Sequence, residues 1–377
     1  MGSIEIIPVK GKALLKRFIR LAERLHKDDA AYIAPLHMER EEALTEKNPF
    51  FGHAEVQFWL ARRDGRDVGR ISAQIDTLAQ SIRPDAPGQF GMLAAEDDSE
   101  IFKALLDTAA AWLRARGMKA IQGPFNLNIN EETGLLIDGF TTPPMLLMPH
   151  DRPYIAGHLE AYGLAKVKDV YAYLYDITGE LPASVRRLLT RELPADLKVR
   201  RMELKDIAKE IRNVTDIFND AWSQNWGFVP LTEQETDYMA KSMKSLLNPR
   251  LTALVERGGE PIAFLIGLPN LNEAIRGLNG KILPFGWATL LWRLKVKGVK
   301  TARVPLMGVR RAAAARDMLG ALLPFLMIDM VRKEALKIGL THIELSWILE
   351  DNLPMRRMNE SLGAVPYKTY RIYEKAL

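Results

Sequence analysis

The chain has 377 residues, a net charge of +5 and no cysteine. That length allows two medium domains or one large one. The missing cysteines exclude disulfides, thiolate metal sites and a cysteine nucleophile, as expected of a reducing, cytoplasmic setting. The six histidines (His26, His37, His53, His150, His158 and His342) are scattered without metal-ligand spacing, so no catalytic metal is expected. No Walker A motif is present, no apolar run approaches the ~20 residues needed to span a bilayer, and the first residues lack a signal-peptide pattern.

In chain order, residues 55–76 alternate apolar and polar on both sides of Asp64-Gly65, which predicts a β-hairpin. Residues 90–95 read as a strand. After it Ile101, Leu105, Ala109, Trp112 and Leu113 fall on one helix face that ends near Gly117. Residues 120–127, 134–140 and 171–177 are further strands. Two prolines and weak periodicity make 179–197 a connector, between a first domain over 1–178 and a second over 198–377. The pattern then starts again. Residues 198–204 read as a strand, 207–224 as an amphipathic helix, and 250–270 as a hairpin turning at Gly258-Gly259. A last block runs strand 303–309, basic turn 310–320, helix to about Ile338, strand 342–349, Asn352-capped helix and strand 366–375.

Charge is uneven along the chain. Residues 291–377 hold 16 Lys/Arg against 8 Asp/Glu, which suits a polyphosphate ligand or an anionic membrane surface. No nucleic-acid reader motif is present. The basic, small-residue turn Arg310, Arg311, Ala312–Ala315 and Arg316 lies between a strand and a helix start, where open backbone N–H groups favour anions. The corresponding turn of the first half, 94–100, is acidic and would repel phosphate.

The ordered block from Arg303 to Lys375 resembles the acyl-CoA-binding half of the GNAT (Gcn5-related N-acetyltransferase) superfamily. The same order of elements in both halves resembles tandem GNAT proteins. The resemblance implies an α+β fold: two tandem GNAT-like domains, each a mixed, mostly antiparallel sheet flanked by helices, the first a degenerate copy. It implies acyl-CoA as co-substrate, held by Met307, Gly308, Val309, Arg310, Arg311, Arg316, Gly320 and Asn352, with no metal. The family glycines are mostly missing; Gly320 remains at a different offset. Asn359 stands where many GNAT enzymes have the tyrosine that protonates the leaving thiolate.

Amine attack on a thioester needs a base, oxyanion donors and a shared cleft. Glu350, at the end of the strand 342–349, is the first expected base and His150 the second, with Tyr367 a further catalytic candidate. The backbone near Gly308 and Val309 would supply oxyanion donors. The dense loop 219–232 places Trp222, Asn225, Trp226 and Phe228 in an acceptor wall, with Phe285, Trp287 and Trp347 as further substrate contacts; a loop tucking aromatics onto the core is the alternative. Residues 277–300 are apolar with a basic fringe, which suggests either a lipid-facing lid or a buried insert. The Asn-rich stretch 123–155 either makes turns or turns Glu131 or His150 toward the acceptor.

Residues 48–61, 123–136, 147–154, 221–232 and 344–352 are similar to a group of bacterial tandem GNAT-like proteins that includes the ceramide synthases. That resemblance implies transfer of a long fatty acyl chain from acyl-CoA to a sphingoid amine, and a location in the cytoplasm or on the cytoplasmic face of the inner membrane. The alternatives are a short-chain acetyltransferase and a non-catalytic lipid- or CoA-binding protein. Acyl chain length and oligomeric state stay open.

Overall fold

A computed structural model describes residues 2–244, 246–316 and 318–377. In chain order the first elements are β1 (Ile4–Pro8), α1 (Gly11–Leu25), α2 (His37–Ala43), β2 (Ala54–Arg63), β3 (Arg66–Asp76) and α3 (Thr77–Ile82). Next come β4 (Gly88–Ala95), α4 (Ser99–Arg114), β5 (Ala120–Gly123), β6 (Phe125–Asn126), β7 (Glu132–Thr133), β8 (Leu135–Asp138), α5 (Ile155–Ala161) and β9 (Ala165–Asp176). The chain continues through α6 (Ala183–Leu189), β10 (Leu197–Arg200), α7 (Ile207–Ala221), α8 (Glu233–Met243), β11 (Thr252–Arg257) and β12 (Glu260–Pro269). It ends with α9 (Leu271–Ile275), α10 (Gly286–Trp292), β13 (Thr301–Val309), α11 (Arg311–Arg316), α12 (Met318–Lys337), β14 (His342–Leu349), α13 (Leu353–Ser361) and β15 (Val365–Ala376). The chain folds into two compact units: residues 1–170, 275–287 and 368–377, and residues 171–274 and 288–367.

The first unit is a mixed sheet in the order β1-β2-β3-β4-β5-β15, with β8 also on β15. Its first three pairings are antiparallel, and β4 pairs parallel with β5 only at Gly88↔Ile121 and Gln89↔Gln122. The β2–β3 turn is the predicted hairpin: Asp64 and Gly65 have φ of 49° and 72°, and the second position has no Cβ to oppose it. One face packs Trp59, Ile71 and Phe90 against Ile101, Leu105 and Leu113 of α4. The other packs Phe58, Leu60 and Met92 against Phe18 and Leu21 of α1. The Asp98 side chain caps α4 through the Glu100 N–H.

The second unit repeats this plan. Its strand order is β9-β14-β13-β12-β11-β10, antiparallel from β10 to β13. Strands β13 and β14 then pair in parallel from Thr301↔His342 to Val304↔Leu345. Helix α12 lays Leu323, Met327, Val331 and Ala335 on Leu265, Ala302, Val304, Ile343 and Leu345. Helix α7 contacts β12 and β13. An added Cβ on Gly308 would meet the side chains of Phe264 and Ala221, so α7 covers the face away from α12. A capping box at Thr232 and Glu235 starts α8. The stretch expected to connect the halves contains α6, whose Val185 is buried in this unit's core.

Candidate active site

In the second unit the strand register breaks where chemistry is expected. Gly267 lies in the β12–β13 register shift, facing the stretch between Arg303 and Leu306. This is a β-bulge, which turns the end of β13 aside. The pairing of β13 with β14 ends at Val304↔Leu345, so Pro305–Val309 and Ser346–Leu349 run on beyond it.

At this point sits a buried polar cluster. Ala302, Val304, Ile343 and Leu345 belong to the α12 core, so alternation turns Arg303 and Glu344 to the other face. Arg303 is 2 % exposed and Glu344 fully buried. Their charged groups approach to 3.3 Å. The Ser346 hydroxyl donates to Glu344 Oε1 at 2.6 Å, and Arg303 Nε donates to Ser346 Oγ at 2.9 Å. The Tyr367 phenol donates to Glu344 Oε2. The Arg303 guanidinium also lies 4.9 Å from the centre of the Trp347 ring, whose buried Nε1 has no hydrogen-bond partner. Removing two charges from water costs several kcal/mol per ion, and here the pair and its hydrogen bonds offset that cost.

The expected site residues distribute as follows. Trp222 follows the last turn of α7, and its Nε1–H donates to the Met307 carbonyl at 3.2 Å, which brings the aromatic loop to the end of β13. Phe218 links Trp222 and Phe228 at ring distances of 4.7 and 5.9 Å. The Asn225 N–H donates to the Trp222 carbonyl, and Trp226 follows in the same loop, partly buried. Gly308 and Val309 lead into the stretch expected as a basic turn, which is instead helical from Arg311 to Arg316 because its alanines favour helix. There the Arg310 N–H donates to Ile262 O at 2.8 Å and Arg310 Nε to Pro261 O at 3.0 Å. The Arg311 N–H donates to an Asp220 carboxylate oxygen at 2.8 Å, so this stretch already receives one anion. The side chain of Arg316 lies outside the described residues. Gly320 permits a close crossing, since a Cβ there would lie 2.7 Å from the Ala314 backbone. Asn352 caps α13 through the Met355 N–H. Glu350 is in the turn after β14, its carbonyl accepting from Arg356. Tyr367 joins the buried cluster, whereas Phe285 and Trp287 are exposed.

Asn359 is 1 % exposed, and neither polar atom of its carboxamide has a partner. Arg303, Glu344 and Ser346 were not anticipated from the sequence. The signal was a charged residue inside each of two apolar strands, where charge is almost never buried unless paired.

His150 and Glu131 belong to the first unit. His150 Nε2 pairs with Asp29 at 2.8 Å, and burial keeps the ring's pKa below its ordinary value despite that carboxylate. Asn48 donates to Glu131 at 3.0 Å, and burial pushes that carboxyl up to about 7. Arg40 and Asn126 hold Glu132 at 2.7 and 2.8 Å. Burial opposes ionisation of Glu132, but Arg40 keeps its pKa low.

The same stretch fills the gap beside β4. Gln74 Nε2 donates to the carbonyls of Phe125 and Leu127 at 2.8 and 2.9 Å, and Met92 N–H donates to Asn126 Oδ1 at 2.7 Å. A Cβ on Gly91 would lie 1.7 Å from the Phe125 carbonyl oxygen. The acidic turn before α4 is committed to local partners: Glu96 to Arg24 and Arg66, and Asp97 to His158.

No family model matches the chain. The Bacterial ceramide synthase of Caulobacter vibrioides (strain NA1000 / CB15N) is 52% identical over 378 residues, covering 100% of this chain and 98% of that protein. Protein YghO of Escherichia coli (strain K12) is 44% identical over 363 residues, 96% of this chain and 93% of its own length. Among solved structures, a tandem GNAT protein from the clavulanic acid biosynthesis pathway aligns with a TM-score of 0.59 at 15% identity, over 99% of this chain and 98% of that one. A GCN5-related N-acetyltransferase from Sphaerobacter thermophilus aligns with a TM-score of 0.53 at 14% identity, over 98% and 95%. The expected α+β tandem GNAT fold is therefore the fold of this chain.

Proposed function

The chain is an acyltransferase of the bacterial ceramide synthase family, and we propose that it moves a long-chain acyl group from acyl-CoA to the amine of a sphingoid base. The observation that carries this reading is the full-length 52% identity to a protein named for that product class. The parting of β13 and β14 beyond Val304 and Leu345 supports it, because an extended pantetheine arm needs an unpaired strand edge. The basic stretch after Val309 supplies charge for the CoA phosphates, and the Met307–Val309 backbone supplies donors for the thioester oxygen. The first unit acts as a degenerate copy. Its gap beside β4 is occupied by Phe125–Leu127, so one acyl-CoA binds per chain, in the second unit.

Six large apolar side chains stand exposed within one short stretch: Leu283, Phe285, Trp287, Leu291, Trp292 and Val296. Lys281, Arg293, Lys295, Lys297 and Lys300 punctuate or flank it. No helix among the described residues is long and apolar enough to cross a membrane. This stretch rests on an anionic bilayer surface, where a long-chain amine resides, and works on the cytoplasmic face.

A thioester-release assay across acyl chain lengths, with and without a sphingoid base, tests the reading. Amine-dependent CoA release that rises with chain length is the expected result. Preference for acetyl-CoA would favour a short-chain acetyltransferase, and no release with any amine would favour a non-catalytic binding protein.

A further inference from the structure

We infer that the Tyr367 phenol is the group that takes the proton from the attacking amine, with Glu344 as the positioning residue that holds the phenol and receives its proton. The inference rests on the acyltransferase reading and adds a proton path to it. Asn359, being a carboxamide, does not supply that path.

Burying Glu344 carries a cost that its surroundings must offset. A fully buried carboxylate is tolerated only when it is paired and its remaining lone pairs accept hydrogen bonds. At Glu344 one of those bonds comes from a phenol, a group that can itself give up and take a proton. Arg303 compensates its charge, Ser346 occupies Oε1, and Oε2 is given to a phenol. Tyr367 is itself only partly buried, so the network has one end in the interior and one toward the surface. Its place on the sheet is equally specific. Arg303↔Glu344 is the second-last pair of the parallel ladder, and Ser346 is the first residue past its end. The charges face away from the α12 core, on the side covered by α7, whose Trp222 reaches the β13 carbonyl at Met307.

The amine arrives as an ammonium ion. The phenol passes its proton to Glu344 while its oxygen takes one from the ammonium, leaving a neutral amine, a neutral phenol and a protonated Glu344. The nitrogen attacks the thioester carbon, the C–N bond forms and the C–S bond breaks. The nitrogen's surplus proton goes to the departing sulfur, giving the amide and the CoA thiol. Glu344 returns its proton to water, through Tyr367, before the next turnover.

The test compares Tyr367→Phe and Glu344→Gln with the unmodified protein in steady-state CoA release, with unfolding curves run on each. General base catalysis contributes roughly 10²- to 10⁴-fold. We expect kcat to fall at least about 100-fold in both variants, within that range, and the acyl-CoA KM to stay within about threefold, as for a group acting in the transition state. In Tyr367→Phe the acid limb of the kcat–pH profile should lose its plateau and keep rising with pH, because only free amine can then attack, a readout that mere loosening of the site would not change. Glu344→Gln leaves Arg303 facing a neutral amide; if it fails to fold, Tyr367→Phe alone decides. A folded Tyr367→Phe with near-normal kcat and an unaltered pH profile overturns the inference while leaving the acyltransferase reading intact. An unmodified protein that releases no CoA with any amine overturns both.

Discussion

Burial decides what individual side chains do in this molecule. His26 is 4 % exposed, stacks on Tyr32 with ring centres 4.3 Å apart, and its Nδ1 lies 2.8 Å from the Ala22 carbonyl. Burial is the largest influence on its ring and lowers the pKa to about 4. The unfolded chain therefore binds a proton at this residue below about pH 6.5, and the folded chain does not until about pH 4. With more protons on the unfolded side, stability drops as pH falls through that window. The full effect is on the order of 3 kcal/mol, at about 1.4 kcal/mol per pKa unit. His26→Phe keeps a ring to stack on Tyr32 and removes the titration. Urea unfolding at pH 6.5 and pH 4 should show the variant losing less stability than the unmodified protein. Equal losses would mean that other groups govern acid sensitivity. Arg303 and Glu344 follow the same logic with opposite chemistry: Arg303→Met, by stranding a buried carboxylate, should cost about 3–5 kcal/mol in the same measurement.

At the scale of elements, the two units share one device and use it differently. In each, the fourth strand carries a register shift and then pairs in parallel over a short stretch. In the first unit β5 runs on through the cis Gly123-Pro124 bond into Phe125–Leu127, which closes onto β4. Gly91 makes this closure possible, because any side chain there would collide with the Phe125 carbonyl. Gly91→Ala should destabilise the protein by about 1–3 kcal/mol or more, the usual cost of overpacking, and thermal or urea unfolding measures it. An alanine variant of unchanged stability would show that the segment yields easily and that the gap is not sealed.

Over the whole molecule, charge and exposed apolar surface are concentrated toward the C-terminal third, where 291–377 holds 16 basic against 8 acidic residues. Phe285 is 77 % exposed and Trp287 half exposed. Phe285→Ser with Trp287→Ser should reduce co-flotation with vesicles of anionic phospholipid. Unchanged flotation would remove the membrane role of this stretch.

Local pattern was enough to read most elements. Both hairpins, the long helices and the ordered C-terminal block follow from alternation, helical spacing and caps, which are properties of near neighbours in the chain. The tryptophan loop was legible for the same reason, and Trp222 does meet Met307, whereas the stretch expected as a basic turn is helical from Arg311 to Arg316. What local pattern could not supply was the partner of each buried charge. Arg303 and Glu344 are 41 positions apart in sequence and become neighbours only when two parallel strands align, and Tyr367 joins them from a third strand. The C-terminal strand is a second case: residues 368–377 complete the sheet of the first unit by pairing with β5 and β8, against the division expected from the order of the chain. Periodicity is set by the backbone within a few residues, so the sequence alone determines it. Pairing between distant strands depends on register and on which charges the fold buries together, and only the tertiary structure decides that.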